Sequence, residues 1–227
     1  MVAARIGTCF TFDVTTPAAQ DLGPSDAAEE TALARSQAAR RRRVLDAALR
    51  LAEQGGFDAV QMRDVATEAN VALGTVYRYF TSKERLLLEA MVEQIDTLAA
   101  RVESRPPVGE SAATRVLDVL TRANASLQRH PEVTAAMVRA FGAAAPEEAD
   151  VVRRVSESMT AIITGAMHDT VPSPRDLAAA RVLMQVWLSS LVGWVGGVDD
   201  ATRVVADLGV AAHLLLEPGV ELAPASS

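Results

Sequence analysis

The chain has 227 residues, of which about half are hydrophobic and only 4% aromatic, and its formal net charge is −7. This length can bury a substantial core in one or two domains, and a composition rich in alanine, leucine and valine favours packed helices over sheets. The single cysteine, Cys9, excludes a disulfide framework or a cysteine zinc cluster within one chain. The amino terminus lacks the pattern of a secretory signal, so we expect a cytoplasmic protein.

The charge is distributed unevenly along the chain. Residues 35–85 hold ten Lys or Arg against six Asp or Glu, a net of +4, and the remainder holds twelve against twenty-three, a net of −11. The acidic total excludes a protein that coats nucleic acid indiscriminately, whereas a basic module on an acidic body fits contact with phosphate at one end. Chance clustering explains an excess of four charges equally well, so the sequence motifs are needed to indicate whether this region binds nucleic acid.

Residues 1–34 are predicted to be a flexible tail, with a helix that can begin near residue 26. The apolar face of that helix recurs at spacings of three and four residues and consists of Val44, Leu45, Ala48, Leu51 and Ala52. Gly55 and Gly56 favour the left-handed backbone that ends a helix. We therefore expect the first helix to end near Gln54.

Two short helices and a long one are predicted next. The first covers 62–69, with Val65, Ala66 and Ala69 facing inward, and the second covers 72–79. Asn70 between them tolerates the left-handed backbone of a tight turn. Ser82 is a good N-cap for a long helix that ends before the prolines at 106 and 107.

Helices are also predicted over the rest of the chain, separated by proline or glycine breaks, near residues 111–129, 131–143, 146–169, 174–195 and 200–216. No stretch alternates well enough to indicate a strand. The expected fold is all-α. It comprises a three-helix helix-turn-helix DNA-binding domain over 35–83, a helical ligand-binding and dimerisation domain over 84–218, and a flexible tail over 219–227.

The segment 56–85 has the order of features of a helix-turn-helix, whose second helix lies in the major groove while the first crosses the DNA backbone. Gly74 lacks a side chain and allows close approach to the duplex. The candidate phosphate contacts carry a hydroxyl, an amide or a positive charge, and they are Arg42, Gln61, Thr75, Tyr77, Arg78, Tyr79 and Lys83. Base readout is expected from Arg63, Ala72 and Leu73, since arginine can fork onto a guanine edge and leucine can touch a thymine methyl.

Each of these features has a plainer explanation when it is taken alone. Tyr77 and Tyr79 can be half-buried packing residues, and the arginine run at 40–43 can be a solvated helix face instead of a phosphate-binding arm. Their order along the chain is what favours DNA binding.

That order resembles the TetR family of transcriptional repressors. The resemblance rests on the runs Gly-Phe at 56–57, Asp-Val-Ala at 64–66, Gly-Thr-Val-Tyr-Arg-Tyr-Phe at 74–80 and Ser-Lys-Glu at 82–84. It implies a DNA-binding head, a linking fourth helix and a helical body that binds ligand and dimerises. Gln61 and Asn70 depart from the threonine and glycine that are usual in the family, but glutamine can still reach a phosphate and asparagine can still make the turn.

Within that family the chain is similar to the KstR-type repressors of cholesterol catabolism. The similar runs are Val-Gln-Met-Arg at 60–63, Arg-His-Pro at 129–131, Ala-Met-Val-Arg-Ala at 136–140 and Val-Trp-Leu-Ser-Ser-Leu at 186–191. The resemblance implies that the protein represses sterol-degradation genes from a palindromic double-stranded DNA operator and is released by a small hydrophobic effector, a steroid acyl-CoA thioester. The alternative is a repressor of an efflux or fatty-acid system that responds to a different hydrophobic ligand.

A homodimer is expected on physical grounds, because one recognition helix covers too few base pairs for useful specificity. Residues 174–195 are apolar on nearly every face, which requires burial on all sides. The family resemblance implies that helices 174–195 and 200–216 form a four-helix bundle between subunits. The predicted dimer contacts are Leu188, Leu191, Trp194, Val205 and Leu208.

The effector is expected to bind inside the body. The candidate ligand contacts are Met137, Arg139, Phe141, Met159, Ile163, Met184 and Trp187. Methionine adapts to irregular hydrophobic ligands, and Arg139 suits an acidic ligand group. Plain core packing, or a solvated arginine in the case of Arg139, is the alternative at each position. Ligand binding would tilt the fourth helix and change the spacing of the two heads.

No enzymatic chemistry is indicated by the sequence. His130, His168 and His213 lack metal-ligand spacing, and neither a glycine-rich phosphate loop nor a nucleophile elbow is present. We expect no enzymatic activity, cofactor, metal or membrane partner, and association with the nucleoid when the protein binds DNA. A helical interaction module that has lost DNA binding is a further alternative, against which the intact Gly74 and Lys83 argue.

Overall fold

The computed structural model describes residues 24–217, with side chains from residue 32 onward, and within that range the chain is helical with no strand. The first 23 residues, which include Cys9, and the last ten residues lie outside it, as do the tails predicted there. The helices are α1 (Pro24–Ala59), α2 (Met62–Glu68), α3 (Leu73–Tyr79), α4 (Lys83–Ser104), α5 (Ala112–Leu127), α6 (Pro131–Gly142), α7 (Ala149–Met167), α8 (Pro174–Val195) and α9 (Ala201–Leu216), with a short 3₁₀ helix at Pro146–Glu148 before α7.

The chain divides into two compact units, Met1–Ala39 and Arg40–Ser227. In the first unit the described residues 24–39 are helical, and the side chains of residues 32–39 are exposed. The helix that the sequence predicted to begin near residue 26 begins at Pro24, in a stretch that is rich in alanine and glutamate, which have high helix propensity.

The head core lies in the second unit. It consists of the apolar face of α1 after residue 43, the inward residues of α2 and α3, the start of α4 and one side of α6. The path of α1 breaks at the predicted place, since Gly56 has a φ of 64°, where glycine is favoured. Phe57 and Val60 after the break are buried in this core. The break thus turns the chain towards α2.

The body core is formed by the apolar faces of α5, α7, α8 and α9 with the middle of α4. Helix α4 belongs to both cores, because Leu86 and Leu87 are buried in the head core while Leu88 and Ile95 are buried in the body core. A displacement of α4 would therefore change the packing of both the head core and the body core.

Candidate DNA-binding surface and ligand cavity

The predicted helix-turn-helix is formed by α2 and α3. Val65, Ala66, Ala69 and Val76 are buried where the two helices meet, and such small or β-branched residues let the helices cross closely. The turn residue Asn70 has a φ of 52°, the left-handed backbone that the sequence predicted. The same small core therefore holds α3 against α2 and leaves the opposite side of α3 exposed.

The ten predicted DNA contacts fall into two groups. Six belong to exposed residues, namely Arg42, Gln61, Arg63, Ala72, Tyr77 and Arg78, and four are partly buried, namely Leu73, Thr75, Tyr79 and Lys83. Leu73 and Tyr79 pack against the head core. The structure thus leaves six of the predicted contacts exposed and gives two of the partly buried ones a packing role.

Tyr79 departs most clearly from the expected phosphate contact. Its hydroxyl oxygen is buried and has no hydrogen-bond partner among the described residues, and the guanidinium of Arg78 lies over its ring, 5.3 Å from the centroid. The packing alternative describes this tyrosine better. Tyr77, in contrast, is half exposed, at 50%.

Gly74 has no intramolecular reason to be glycine in the described structure. A Cβ atom built there would meet nothing within 4 Å, and its φ does not lie in the left-handed range. Glycine also lowers helix stability relative to alanine. The open space at Gly74 is compatible with the predicted close approach of α3 to a DNA backbone, which stays a prediction.

Lys83 begins α4 beside the segment after the α1 break. Its Nζ lies 4.0 Å from the centroid of the Phe57 ring and donates to the Phe57 carbonyl oxygen at 3.4 Å. Because an ammonium group carries three donors, this contact orients the side chain and still leaves donors for a phosphate.

The arginine run at 40–43 is not a free arm over its whole length. Arg41 donates to Glu89 at 2.7 Å and to Glu93 at 2.8 Å, and Arg42 pairs with Asp46 at 2.9 Å and with Glu93 at 3.2 Å. The carboxylates raise the pKa of Arg42, with the Asp46 hydrogen bond as the largest cause. Arg41 and Arg42 therefore tie α1 to α4.

A further set of polar contacts, which the sequence analysis missed, ties the first turns of α4 to α7. Ser82 donates to Glu148 at 2.8 Å, and Arg85 donates to Asp150 at 2.9 and 2.7 Å. The largely buried carboxylate of Glu89 also accepts from Arg154. The hydrogen bond from Arg85 is the main cause that lowers the pKa of Asp150 to about 2. The partners are at least 65 residues apart in the sequence, so no local pattern could have revealed them.

A cavity of about 1320 Å³ lies between α1, α4, α5, α6, α7 and α8. Five of the seven predicted ligand contacts line it: Met137, Phe141, Met159, Met184 and Trp187. Ile163 does not, because it is fully buried in the body core. The volume exceeds the range of about 300–1,000 Å³ that is usual for small-molecule sites.

Arg139 is also absent from the cavity wall. Its guanidinium instead binds Asp58 at 2.8 Å and lies over the Phe57 ring, 4.5 Å from the centroid. Arg139 and its neighbours in α6 point to different sides of that helix, which the sequence alone did not resolve. The predicted contact with an acidic ligand group is therefore not available in this structure.

Arginines other than Arg139 line the cavity. Seven line it, whereas Glu53, which pairs with His130 at 2.8 Å, is the only acidic lining residue within residues 32–217. Four of the seven have no carboxylate partner among the described residues, namely Arg101, Arg105, Arg129 and Arg181. Leu98, Arg101 and the residue after α4, Arg105, follow one another at spacings of three and four residues, a signal that the sequence contained.

Two of the five predicted dimer contacts lie inside the protomer. Leu208 is fully buried and Leu191 is 7% exposed, so neither side chain offers surface to a partner, while Leu188, Trp194 and Val205 are partly buried. The exposed apolar residues of α8 and α9 are different positions of the same helices: Leu177, Val192, Val210 and Leu214.

Comparisons with known proteins agree with this arrangement. The profile of bacterial regulatory proteins of the tetR family matches residues 44–90, and that of the tetracyclin repressor-like C-terminal domain matches residues 109–215. The HTH-type transcriptional repressor KstR of Rhodococcus jostii (strain RHA1) is 41% identical over 204 residues, which cover 90% of this chain and 93% of the relative.

Solved structures share the fold. A TetR transcriptional regulator from Rhodococcus sp. RHA1 superposes with a TM-score of 0.75 at 34% identity, covering 83% of this chain and 100% of that one. The regulator FadR of Bacillus subtilis, crystallised with stearoyl-CoA, superposes with a TM-score of 0.60 at 19% identity, covering 78% and 97%. These relatives are regulators and not enzymes, as predicted for this protein. The chain belongs to the TetR family of bacterial transcriptional regulators.

Proposed function

We propose that this protein is a homodimeric repressor of sterol or lipid catabolism genes, released from its operator by a sterol-derived CoA thioester. The assignment to DNA-binding transcriptional repressors rests on the family and on the similarity to KstR. The effector class is supported chiefly by one observation, the large cavity whose wall combines apolar side chains with arginines that have no carboxylate partner in the described part of the chain.

The operator contacts are proposed on the outward side of α3 and beside it. Thr75, Tyr77, Arg78 and Lys83 would bind phosphates, because they carry hydroxyl or cationic groups on α3 or at the start of α4 and none of them is fully buried. Base contacts would come from Arg63 and Ala72, which are exposed, and from the accessible part of Leu73. Gln61, whose side chain already donates to the Asp58 carbonyl, and Arg42, which is ion-paired, would contribute less, and Tyr79 would hold α3 in place.

The effector proposal follows from the chemistry of the cavity wall. Methionine and aromatic side chains there suit a bulky, rigid hydrocarbon. Guanidinium groups bind phosphates through paired, charge-assisted hydrogen bonds, and arginines without a carboxylate partner are available for that purpose. A CoA thioester of a steroid acid carries both a fused-ring hydrocarbon and several phosphates, so it fits both parts of the wall.

The homodimer proposal follows from α8. This helix is long and apolar enough to span a membrane, with a mean hydropathy of 1.3 over 18 residues, yet only 33% of that stretch is buried in the protomer. Leu177 and Val192 on α8, and Val210 and Leu214 on α9, remain uncovered. In a protein that acts on DNA, which would lie in the cytoplasm and associate with the nucleoid, a second copy is the natural cover for these helices.

Tryptophan fluorescence tests the effector class directly, because Trp187 lies in the cavity wall and the chain has only one other tryptophan. The protein is titrated with a steroid-acid CoA thioester, the free steroid acid, stearoyl-CoA and CoA. We expect the thioester of the steroid acid to bind at least tenfold more tightly than the other three. Tighter binding of stearoyl-CoA would replace the sterol assignment with a fatty-acid one, and preference for the free acid would contradict the phosphate argument.

Two arginine variants test the phosphate argument. Arg101→Ala and Arg105→Ala should each weaken the CoA thioester by about five- to twentyfold, since a charged hydrogen bond contributes about 1.5–3 kcal/mol before exposure to solvent is taken into account, and should leave the free acid unchanged. Arg175→Ala is the matched control, because Arg175 is an exposed arginine of α8 that does not line the cavity. Equal losses for thioester and free acid would contradict the assignment.

Release from DNA is tested on an operator duplex selected from random sequences with the wild-type protein. The thioester should raise the Kd of the protein for this duplex, and CoA alone should not. Failure of the protein to select a palindrome would contradict the repressor function. A rise of DNA affinity in the presence of the thioester would mean that the effector promotes DNA binding instead of releasing the protein.

A further inference from the structure

Arg139 occupies an unusual position between the cavity and the DNA-binding head. It belongs to α6, whose Met137, Val138 and Phe141 line the cavity. The guanidinium of Arg139 does not share that wall, and it reaches instead the two residues that follow the α1 break, Phe57 and Asp58. One helix thus touches the ligand space with one side and the head with the other.

The segment 57–58 is in turn the attachment point of Lys83. The Lys83 ammonium and the Arg139 guanidinium both lie over the Phe57 ring, 4.0 and 4.5 Å from its centroid. Lys83 also donates to the Phe57 carbonyl oxygen at 3.4 Å, and Gln61 donates to the Asp58 carbonyl oxygen at 2.9 Å. A movement of this segment would therefore displace a proposed phosphate contact and the start of α2 together.

Folding stability does not explain these contacts. The side chains of Arg139 and Asp58 are 57% and 73% exposed, and exposed ion pairs contribute little to the free energy of unfolding. The contact of the exposed Arg139 guanidinium with the Phe57 ring adds a similarly modest amount. What the contacts do supply is a geometric constraint between α6 and the head.

We propose that Arg139 is a positioning residue that holds segment 57–58 and Lys83 in the geometry that binds DNA, and that it carries displacements of α6 from the cavity to the head. This inference rests on the proposed function, because it takes Lys83 as a phosphate contact and the cavity as the effector site. Arg139 acts through its neighbours and does not itself touch DNA or effector.

A double-mutant cycle on DNA affinity tests the positioning role. Binding to the selected operator duplex is measured for the wild type, Arg139→Ala, Lys83→Ala and the double variant. We expect Lys83→Ala to weaken binding about tenfold, Arg139→Ala about three- to tenfold, and the double variant no more than about twofold beyond Lys83→Ala. Losses that simply multiply would overturn the inference while leaving the DNA contact of Lys83 intact.

The salt dependence of binding gives a readout that a purely structural role would not move. Each phosphate contact contributes about 0.9 to the slope of log Kd against log salt. Arg139→Ala should reduce the slope in the wild-type background by close to that amount and should not reduce it further in the Lys83→Ala background. A slope that Arg139→Ala leaves unchanged in the wild-type background would contradict positioning of Lys83.

Matched variants separate the contact from a general loss of charge. Arg139→Lys keeps a cation that can reach Asp58 and the ring, so its DNA affinity should stay within about twofold of the wild type. Arg153→Ala removes an exposed arginine whose one ion pair with another described residue is with Glu157 of its own helix, at 3.9 Å, and should have no effect. An equal loss in Arg153→Ala and Arg139→Ala would overturn the inference.

The second half of the inference is tested with the steroid-acid CoA thioester. The coupling is the ratio of the operator Kd with the thioester to that without it. Arg139→Ala should lower this ratio at least threefold, while the affinity for the thioester without DNA stays unchanged. An unchanged ratio overturns the transmission role alone. If Lys83→Ala binds DNA normally, the proposed phosphate contact fails, and if the wild type does not respond to the thioester, the proposed effector fails; either result overturns this inference as well.

Discussion

At the scale of the residue, Gly74 separates what the fold needs from what DNA binding needs. A Cβ atom at this position meets nothing within 4 Å, and alanine favours helix by up to about 1 kcal/mol over glycine. We expect Gly74→Ala to keep or slightly raise the free energy of unfolding, measured with urea, and to weaken operator binding about tenfold or more, measured by fluorescence anisotropy. Unchanged affinity would mean that α3 does not approach the duplex at this residue.

The two tyrosines of α3 form a matched pair at the same scale. Tyr77 is half exposed, whereas the Tyr79 hydroxyl is buried without a partner in the described part of the chain. A buried hydroxyl that makes no hydrogen bond destabilises the folded state. Tyr79→Phe should therefore raise the free energy of unfolding by about 1 kcal/mol and leave DNA affinity unchanged.

Tyr77→Phe should do the opposite. Loss of one phosphate hydrogen bond, worth about 1 kcal/mol, should weaken operator binding about fivefold without a change in stability. If Tyr79→Phe weakened DNA binding as much as Tyr77→Phe, the burial of the Tyr79 hydroxyl would not persist in the complex.

At the scale of the element, a set of polar contacts, here called the clasp, joins one side of α4 to the start of α7. Ser82, Arg85 and Glu89 recur at spacings of three and four residues, so they share a side of α4, and they bind Glu148, Asp150 and Arg154 respectively. Because α4 belongs to both cores, this clasp fixes the body to the helix that carries Lys83 at its first position.

The pH dependence of stability reports on this clasp. The folded-state pKa of Asp150 is lowered from 3.8 to about 2, mainly by the hydrogen bond from Arg85, so its contribution is complete above about pH 4 and is lost as the pH falls through about 2. The difference in the free energy of unfolding between wild type and Asp150→Asn should therefore be constant above pH 4 and should shrink below it. Urea denaturation from pH 6 to pH 2 measures this difference.

Asp96→Asn, on the exposed side of α4, is the control for that series. Its free energy of unfolding should follow that of the wild type, with a constant small offset, over the same pH range. An Asp150→Asn difference that grew on acidification would show that the carboxylate destabilises the fold, contrary to the Arg85 contact.

The elements themselves were predictable because their signals are local. Gly56, Asn70 and Ser82 each act within a few residues, so the break in α1, the turn and the start of α4 followed from the sequence. Contacts such as Arg139 with Asp58, which are 81 residues apart, depend on the final packing. Periodicity likewise marked α9 as apolar but could not tell that Leu208 faces its own protomer while Val210 faces outward.

At the scale of the whole molecule, the charges of the two parts act together. The basic stretch 35–85 and the acidic remainder, at +4 and −11, attract the phosphate backbone to the head and repel it from the body. A single head supplies few base contacts, so specificity depends on two heads held at a fixed spacing. The dimer is therefore part of the DNA-binding function.

The uncovered apolar residues of α8 and α9 allow the dimer to be tested. Val192→Asp and Val210→Asp change residues that are 51% and 63% exposed in the protomer, so each variant should fold normally. In a symmetric interface, however, the new carboxylate would be buried against the same carboxylate of the second copy, which reduces the free energy of dimerisation by several kcal/mol. Analytical ultracentrifugation should find monomers at micromolar concentration. Operator affinity should fall to that for a half-site, because the second head is no longer tethered.

Val171→Asp is the matched control, since Val171 is 91% exposed in the loop before α8 and lies outside both helices. It should remain dimeric and bind the palindrome as the wild type does. In Val192→Asp and Val210→Asp the oligomeric state and the operator affinity have to change together, because these substitutions alter the dimer interface and not the DNA-binding surface of the head. A variant that became monomeric while keeping full affinity for the palindrome would mean that the two heads bind independently, and a dimeric Val192→Asp would move the interface away from α8.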